Sequence, residues 1–219
     1  MEPPVLIFDL DGTLTDPRPG IVRCMKYALD KLGAPCPADD VLAPFIGPPL
    51  RGTFATLLET ADRPDRASAD ALPRRVRWHR AIREPGLRRR HPMLDHARLV
   101  ASAAFVATLK PKVYADRIVR RLGLEPYFAG VYGPELEEGR FDDKAELLGQ
   151  LLATEEVSPE RAIMIGDRAG DIVGARANRV RSIGVLWGYG SESELGDAGA
   201  DGLCATPDDL AACLGRLAL

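Results

Sequence analysis

The stretch Val5-Leu6-Ile7-Phe8-Asp9-Leu10-Asp11-Gly12-Thr13 decides how this chain of 219 residues begins to fold. Its first four residues form a short apolar run without helical spacing, bounded by Pro3-Pro4 and by Asp11-Gly12. That pattern predicts a buried strand that ends in a turn. Asp9 and Asp11 then lie at the carboxyl end of the strand, where ligands bind in open α/β sheets. An Asx-type turn is the ordinary alternative explanation for such a pair of acids.

Similar apolar runs recur along the chain, with helical patterns between them. The runs are at 104–107, 162–165 and 183–186, with a weaker one at 130–132, and the helical patterns are at 112–122, 144–153 and 172–177. This alternation predicts an α/β fold, a Rossmann-like parallel sheet with helices on both faces. It is interrupted between Asp16 and about Arg90, where helical patterns at 21–32, 54–61 and 74–82 predict a mostly helical insert. The predicted domains are a core of 1–15 and 91–219 and an insert of 16–90.

Composition excludes several classes of protein. The formal net charge is -3, so no basic field indicates nucleic acid as a partner. The four cysteines form no CxxC pair, no signal peptide is recognisable, and no apolar run reaches the ~18 residues of a membrane helix, so we expect a cytoplasmic protein without a membrane partner. An arginine-rich stretch, 63–90, is interpreted as a solvated helical face, or alternatively as a surface that attracts an anionic substrate or partner.

A second acidic cluster, Gly166-Asp167-Arg168-Ala169-Gly170-Asp171, follows the predicted strand at 162–165 and opens a helical pattern. An acid at a helix start is also a good cap, so Asp167 or Asp171 alone indicates little. Two acidic clusters at the ends of two strands are more informative, because concentrated carboxylates repel one another unless a cation holds them. Hard oxygen ligands favour Mg²⁺.

Four motifs in order carry a family resemblance. They are FDLDGTLT at 8–15, VATLKP at 106–111, RFDDKAE at 140–146 and MIGDRAGDIVGARAN at 164–178; stretches 45–50 and 184–190 are also similar. Together they resemble the haloacid dehalogenase superfamily of phosphatases, in its phosphoglycolate phosphatase-like branch. The resemblance implies a parallel-sheet core of that type and implies that the helical insert is a cap domain.

The resemblance also implies roles for individual residues. Asp9 would be the nucleophile that becomes an aspartyl-phosphate, and Asp11 would be the general acid and base. Mg²⁺ would be held by Asp9, Asp11 through its backbone carbonyl, Asp167 and Asp171. Lys144, rather than Lys110, would offset the negative charge of nucleophile and phosphate. Thr108 completes the implied catalytic set, and the implied phosphate-binding positions are Gly12, Thr13, Thr108, Leu109 and Lys144, with Arg51 in the insert.

Two features depart from the branch pattern. Leu109 stands where the branch has Ser or Asn, so a polar contact to phosphate is expected to be missing. The helix between Met93 and Ser102 is about one turn short and lacks a Gly before the next strand, so we expect a looser junction between insert and core.

The implied function is hydrolysis of a small phosphate monoester, a phosphorylated metabolite, with Mg²⁺ as cofactor. 2-Phosphoglycolate is the leading substrate, and the alternatives on the same fold are a 5'-nucleotidase or a pyrophosphatase. A hypothesis from another class is a phosphoprotein-directed or non-catalytic signalling module.

Overall fold

The computed structural model describes residues 2–42, 45, 57, 91–135 and 143–217. The predicted helix at 54–61, apart from Leu57, lies outside these residues, as do the predicted helix at 74–82, the arginine-rich stretch, Arg51 and residues 140–142 of the third motif. The chain divides into two compact units, Met1–Asp16 with Leu87–Leu219, and Pro17–Gly86.

The first unit contains one parallel sheet whose described strands number six, in the order β3-β2-β1-β4-β5-β6. The strands are β1 (Val5–Phe8), β2 (Ala103–Ala107), β3 (Gly130–Tyr132), β4 (Ala162–Gly166), β5 (Arg181–Val185) and β6 (Gly202–Cys204). This confirms the predicted α/β fold. The chain reverses its direction of winding at β1, and in such sheets the ligand crevice lies at that point.

Helices cover both faces of the sheet. In the first unit they are α3 (His91–Val100), α4 (Lys112–Arg121), α5 (Lys144–Thr154), α6 (Ala169–Ala177), α7 (Glu192–Asp197) and α8 (Leu210–Leu217); the described part of the second unit contains α1 (Arg18–Lys31) and α2 (Asp39–Leu42). Leu6 and Phe8 of β1 pack in a core with α3, α4 and α8, whereas Val5 and Ile7 pack in a core with α5 and α6. Because alternate side chains of a strand point to opposite faces, an all-apolar strand requires both faces to be covered.

Some predicted bounds are wrong. The predicted strand at 183–186 begins two residues earlier, since Arg181 and Ser182 already pair with β4. β6 is missing from the prediction because it has three residues, one of them Gly, and forms the edge of the sheet. α6 begins at Ala169 rather than 172, because the Arg168 backbone N–H donates to the Asp171 carboxylate at 3.1 Å and closes the first turn.

The short helix α3 packs on the core and joins β2 directly, whereas the looser junction expected between insert and core stays a prediction. Its Met93, Leu94 and Ala97 are buried in the core. At its end the Ser102 backbone N–H donates to the Pro4 carbonyl at 2.9 Å, which ties the connection to the chain just before β1.

No helix in the described residues is long and apolar enough to cross a membrane.

Candidate active site

The turn after β1 presents Asp9 and Asp11 at the carboxyl edge of the sheet. The Asp9 backbone N–H donates to the Ile165 carbonyl of β4 at 2.9 Å, so Asp9 continues the strand pairing. The chain then folds back, with the backbone N–H groups of Leu14 and Thr15 donating to the Leu10 carbonyl at 3.0 and 2.9 Å. Both acidic side chains are buried.

Three acids from two strand ends converge at this edge. One carboxylate oxygen from each of Asp9, Asp167 and Asp171 lies within 4.8 Å of the others, and among the described residues these three are the group able to hold a metal ion. All three side chains are buried. The two clusters meet because β1 and β4 are neighbours in register, with Phe8 opposite Ile165.

Lys144 reaches the same group from the start of α5. Its Nζ donates to Asp9 Oδ1 at 2.8 Å and to the Ala107 carbonyl at 2.9 Å, and lies 2.6 Å from Asp171 Oδ1. Gly174 lets α6 pack beside it, because an added Cβ there would lie 2.9 Å from Lys144 Cγ. Lys144 is therefore not a solvated surface lysine, since its side chain is only 5% exposed.

Asp11 turns to a different partner. Its Oδ2 lies 2.5 Å from Lys110 Nζ, and its Oδ1 accepts a hydrogen bond from the Thr15 hydroxyl at 3.2 Å. Its carboxylate is thus outside the group formed by Asp9, Asp167 and Asp171. Lys110 is also buried.

The predicted phosphate-binding residues lie in different places. Thr108 is buried at the end of β2, where its backbone N–H donates to the Tyr132 carbonyl at 3.0 Å and its hydroxyl accepts from the Lys110 backbone N–H at 3.2 Å. The Thr13 hydroxyl donates to Asp167 Oδ1 at 2.9 Å. Leu109 is half-buried and packs against the core that contains α5. The phosphate-binding roles stay predictions.

Sequence reasoning assigned no role to the segment after β5. Its Tyr189 backbone N–H donates to Asp167 Oδ2 at 2.9 Å, and the Trp187 indole N–H donates to the Thr13 carbonyl at 3.0 Å. The family-like pattern at 184–190 indicated that this segment matters. It could not identify the contacts, because no sequence motif predicts which acceptor a backbone N–H or an indole N–H will find.

The electrostatics of the group depend on its burial. Burial raises the pKa of Asp167 to about 8, and the neighbouring Asp9 and Asp171 carboxylates add to that rise. Burial also raises the pKa of Asp171 to about 6, against the opposing effect of the Lys144 ammonium. Burial works against the charged form of Lys144, but Asp171 and Asp9 outweigh it and raise the pKa of Lys144 above its ordinary value.

These charges fit a divalent cation. Three ionised carboxylates around one ammonium leave two uncompensated negative charges in a buried place. Because a buried charge is stable only when paired, the group must bind protons or a cation. An all-oxygen donor set suits a hard cation such as Mg²⁺.

The metal-free protein is expected to lose stability as the pH rises. A pKa of about 8 for Asp167, against an ordinary value of 3.8 for an aspartate, means that the folded state binds this proton more tightly than the unfolded state. The resulting stabilisation is present below about pH 4 and is lost as the pH rises through about 8. With divalent cations removed by EDTA, Asp167→Asn is expected to stabilise the protein at pH 8.5 by about 2 kcal/mol, a rise in Tm of roughly 4–8 °C.

Thermal unfolding at pH 5.5 and pH 8.5 measures this difference. Asn can keep both contacts, accepting from the Tyr189 N–H and donating to the Thr13 hydroxyl. Asp208→Asn, at an exposed carboxylate, is the matched control and should follow the wild type. A metal-free Asp167→Asn protein with wild-type pH dependence would exclude this origin of the instability.

Gly12 is expected to be irreplaceable even by Ala. Its φ is +95°, and an added Cβ would lie 2.1 Å from Asp167 Oδ2. We expect Gly12→Ala to destabilise the protein by about 3 kcal/mol, by adding backbone strain to a steric clash, and to lower kcat at least about 100-fold by displacing Asp167.

Gly123→Ala separates the two causes of this destabilisation, backbone strain and the steric clash. Gly123 also has a positive φ of +65°, but an added Cβ meets no atom within 4 Å. Urea unfolding should therefore show only the strain, about 1 kcal/mol, with activity retained. Equal effects of the two substitutions would mean that crowding against Asp167 is unimportant.

Comparison with known proteins places this geometry in a family. The family model of haloacid dehalogenase-like hydrolases matches residues 6–185. A 5'-nucleotidase of Pseudomonas aeruginosa is 38% identical over 88% of this chain and 86% of its own length. A phosphoglycolate phosphatase of Agrobacterium fabrum is 34% identical over 85% of this chain and 82% of its own. The tyrosine-protein kinase PtkA of Mycobacterium tuberculosis is 36% identical over 86% of this chain and 64% of its own length.

Solved structures agree with the family. A crystal structure of a predicted phosphatase from Clostridium acetobutylicum superimposes with a TM-score of 0.89 at 30% identity, covering 99% of this chain and 100% of that one. The match over most of the chain, together with the four motifs in order along the sequence, shows that this chain belongs to the haloacid dehalogenase-like hydrolase family and is a phosphatase of that family.

Proposed function

We propose that the chain hydrolyses a small phosphate monoester with Mg²⁺ as its cofactor and Asp9 as the covalent nucleophile. The observation that carries this proposal is the convergence of the Asp9, Asp167 and Asp171 oxygens within 4.8 Å, with Lys144 bound to two of the three acids. Had Asp9 and Asp167 been too far apart to share an ion, the proposal would have failed.

The proposed reaction has two displacements. An Asp9 carboxylate oxygen attacks phosphorus while the bond from phosphorus to the leaving oxygen breaks, and water then cleaves the aspartyl-phosphate. Asp11 donates a proton to the departing oxygen and later accepts one from the attacking water. Lys144 holds the Asp9 carboxylate through Oδ1, which leaves Oδ2 for the attack.

Charge is the main obstacle to this reaction. A carboxylate and a phosphate at ~4 Å repel by about 4 kcal/mol at an effective dielectric constant of ~20. Lys144 supplies one compensating charge at 2.8 Å from Asp9. Mg²⁺, held by the Asp9 and Asp167 carboxylates and the Asp11 carbonyl with Asp171 beside them, would supply the remaining electrostatic stabilisation.

Hydrolysis of p-nitrophenyl phosphate with and without Mg²⁺ tests the activity. We expect turnover that EDTA abolishes and Mg²⁺ restores, and inhibition by beryllium or aluminium fluoride, which mimic a phosphorylated aspartate. A wild-type protein that is folded but inactive under all these conditions would contradict the proposal.

A small phosphorylated metabolite is the proposed partner, and the cap domain at 16–90 is proposed to select it. 2-Phosphoglycolate is supported by the relative of that name at 34% identity. A nucleoside 5'-monophosphate is supported by the 5'-nucleotidase relative at 38% identity. A panel containing both, and pyrophosphate, would rank them by kcat/KM. Arg51 stays a prediction as a contact to the leaving group.

A phosphoprotein-directed role is the second candidate. The similarity to a tyrosine-protein kinase over 86% of this chain favours it. A phosphotyrosyl peptide in the same panel, and transfer of labelled phosphate from ATP to protein, would detect it. A protein that hydrolyses metabolites but neither dephosphorylates the peptide nor transfers phosphate from ATP would exclude the phosphoprotein-directed role.

A further inference from the structure

The loop Trp187–Gly190, which follows β5, closes tightly around Asp167. A Cβ added at Gly188 would lie 2.2 Å from the Asp167 Cβ, and one added at Gly190 would lie 2.0 Å from the Asp167 carbonyl oxygen. The two glycines therefore allow the loop backbone to reach a distance that a side chain would prevent.

The same loop determines where the Asp167 carboxylate points. The Tyr189 backbone N–H donates to Oδ2 at 2.9 Å. Oδ1 is held at 2.9 Å by the Thr13 hydroxyl, and the Trp187 indole N–H in turn donates to the Thr13 carbonyl at 3.0 Å. Both oxygens of Asp167 thus depend on the position of this loop, one directly and one through Thr13.

The loop has an outer anchor at the Tyr189 side chain. The phenol donates to Asp16 Oδ1 at 2.6 Å, and Asp16 is the last residue of the first unit before the chain enters Pro17–Gly86. Hydrogen bonds to a carboxylate are shorter and stronger than those between neutral groups. Tyr189 therefore contacts the candidate metal ligand Asp167 with its backbone and Asp16 with its side chain.

We propose that Tyr189 is a positioning residue: its phenol, bound to Asp16, keeps the loop closed so that its backbone N–H aims the Asp167 carboxylate at the metal. This inference rests on the proposed function, because it requires a divalent cation at Asp9, Asp167 and Asp171. Tyr189 acts through Asp167 and needs no contact with substrate or metal.

Isothermal titration of the full chain with Mg²⁺ tests it, without reference to turnover. Tyr189→Phe deletes the phenol but keeps the backbone N–H, and is expected to weaken Mg²⁺ binding by about three- to tenfold. Asp16→Ala should weaken it equally, and the double variant should be no weaker than either single one, since all three lack the same hydrogen bond. Asp16→Asn keeps an acceptor oxygen and should bind within about twofold of wild type.

Tyr127→Phe is the matched control. The Tyr127 phenol also donates to a carboxylate, Asp95 Oδ1 at 2.8 Å, but on α3, away from Asp167. Tyr127→Phe should leave Mg²⁺ affinity unchanged. The phosphatase activity of Tyr189→Phe should fall at limiting Mg²⁺ and be largely recovered at saturating Mg²⁺. If wild type and Tyr189→Phe bound Mg²⁺ with equal affinity, or if Tyr189→Phe and Tyr127→Phe lost equal affinity, this inference would be overturned and the proposed function would stand. A wild-type protein that binds no divalent cation would overturn both this inference and the proposed function.

Discussion

Asp9→Asn is expected to lose at least about 10⁴-fold in kcat while the protein stays folded. Removal of a nucleophile that acts together with its neighbours costs factors of this order. Asn is nearly isosteric with Asp, and its amide oxygen can still accept the hydrogen bond from Lys144 Nζ that Asp9 Oδ1 now accepts at 2.8 Å. Steady-state hydrolysis of p-nitrophenyl phosphate measures the loss, and acid quenching tests for the aspartyl-phosphate.

Asp143→Asn is the matched control for this prediction. Asp143 precedes Lys144, and its side chain caps α5 by accepting from the Ala145 backbone N–H at 2.8 Å. Asn caps helices about as well as Asp, so activity and stability should be unchanged. Activity of Asp9→Asn within tenfold of wild type would refute Asp9 as the nucleophile.

Lys144→Met is expected to lower both activity and stability. It leaves the buried carboxylates of Asp9 and Asp171 without their ammonium partner, and breaking a buried ion pair from one side costs about 3 kcal/mol or more. Loss of a positioned charge at a reacting centre lowers kcat by about 10³-fold. Urea unfolding with and without Mg²⁺, together with kcat at saturating substrate, measures the two effects.

The pH dependence of this variant has a definite sign. Lys144 lowers the pKa of Asp171, so its removal raises that pKa further. The folded variant then binds the Asp171 proton more tightly, so its deficit in stability should be smaller near pH 5 and should grow as the pH rises through about 6 and above.

Lys112→Met provides the control for a lysine ion pair. Lys112 Nζ lies 2.8 Å from Asp116 one helical turn away, and both side chains are partly exposed to solvent, at 39% and 37%. Such a pair contributes about 0.5 kcal/mol at most. If Lys144→Met cost no more than Lys112→Met, the buried charge network would have no role in stability.

The core of the fold was predictable because a buried strand is a short, continuous run of apolar residues in the sequence. β1 and β3 have the predicted bounds, and β2 and β4 differ from theirs by one residue, since each is a compact apolar run. β6 and the start of β5 were not predictable in this way. Arg181 and Ser182 belong to a strand because β4 offers them backbone partners, and no periodicity of side chains reports such pairing.

By itself, the sequence determined the α/β order of elements and the identity of the acids, because strand ends and motif spacing are local properties of the chain. Tertiary structure alone decided which groups meet. It placed Lys144 between Asp9 and Asp171, turned the Asp11 carboxylate to Lys110, and closed the loop of Tyr189 on Asp167. The physical reason is that these contacts join residues that are not neighbours in the sequence, from 22 positions apart for Tyr189 and Asp167 to 135 for Lys144 and Asp9. Their lengths and partners therefore depend on how the strands and helices pack.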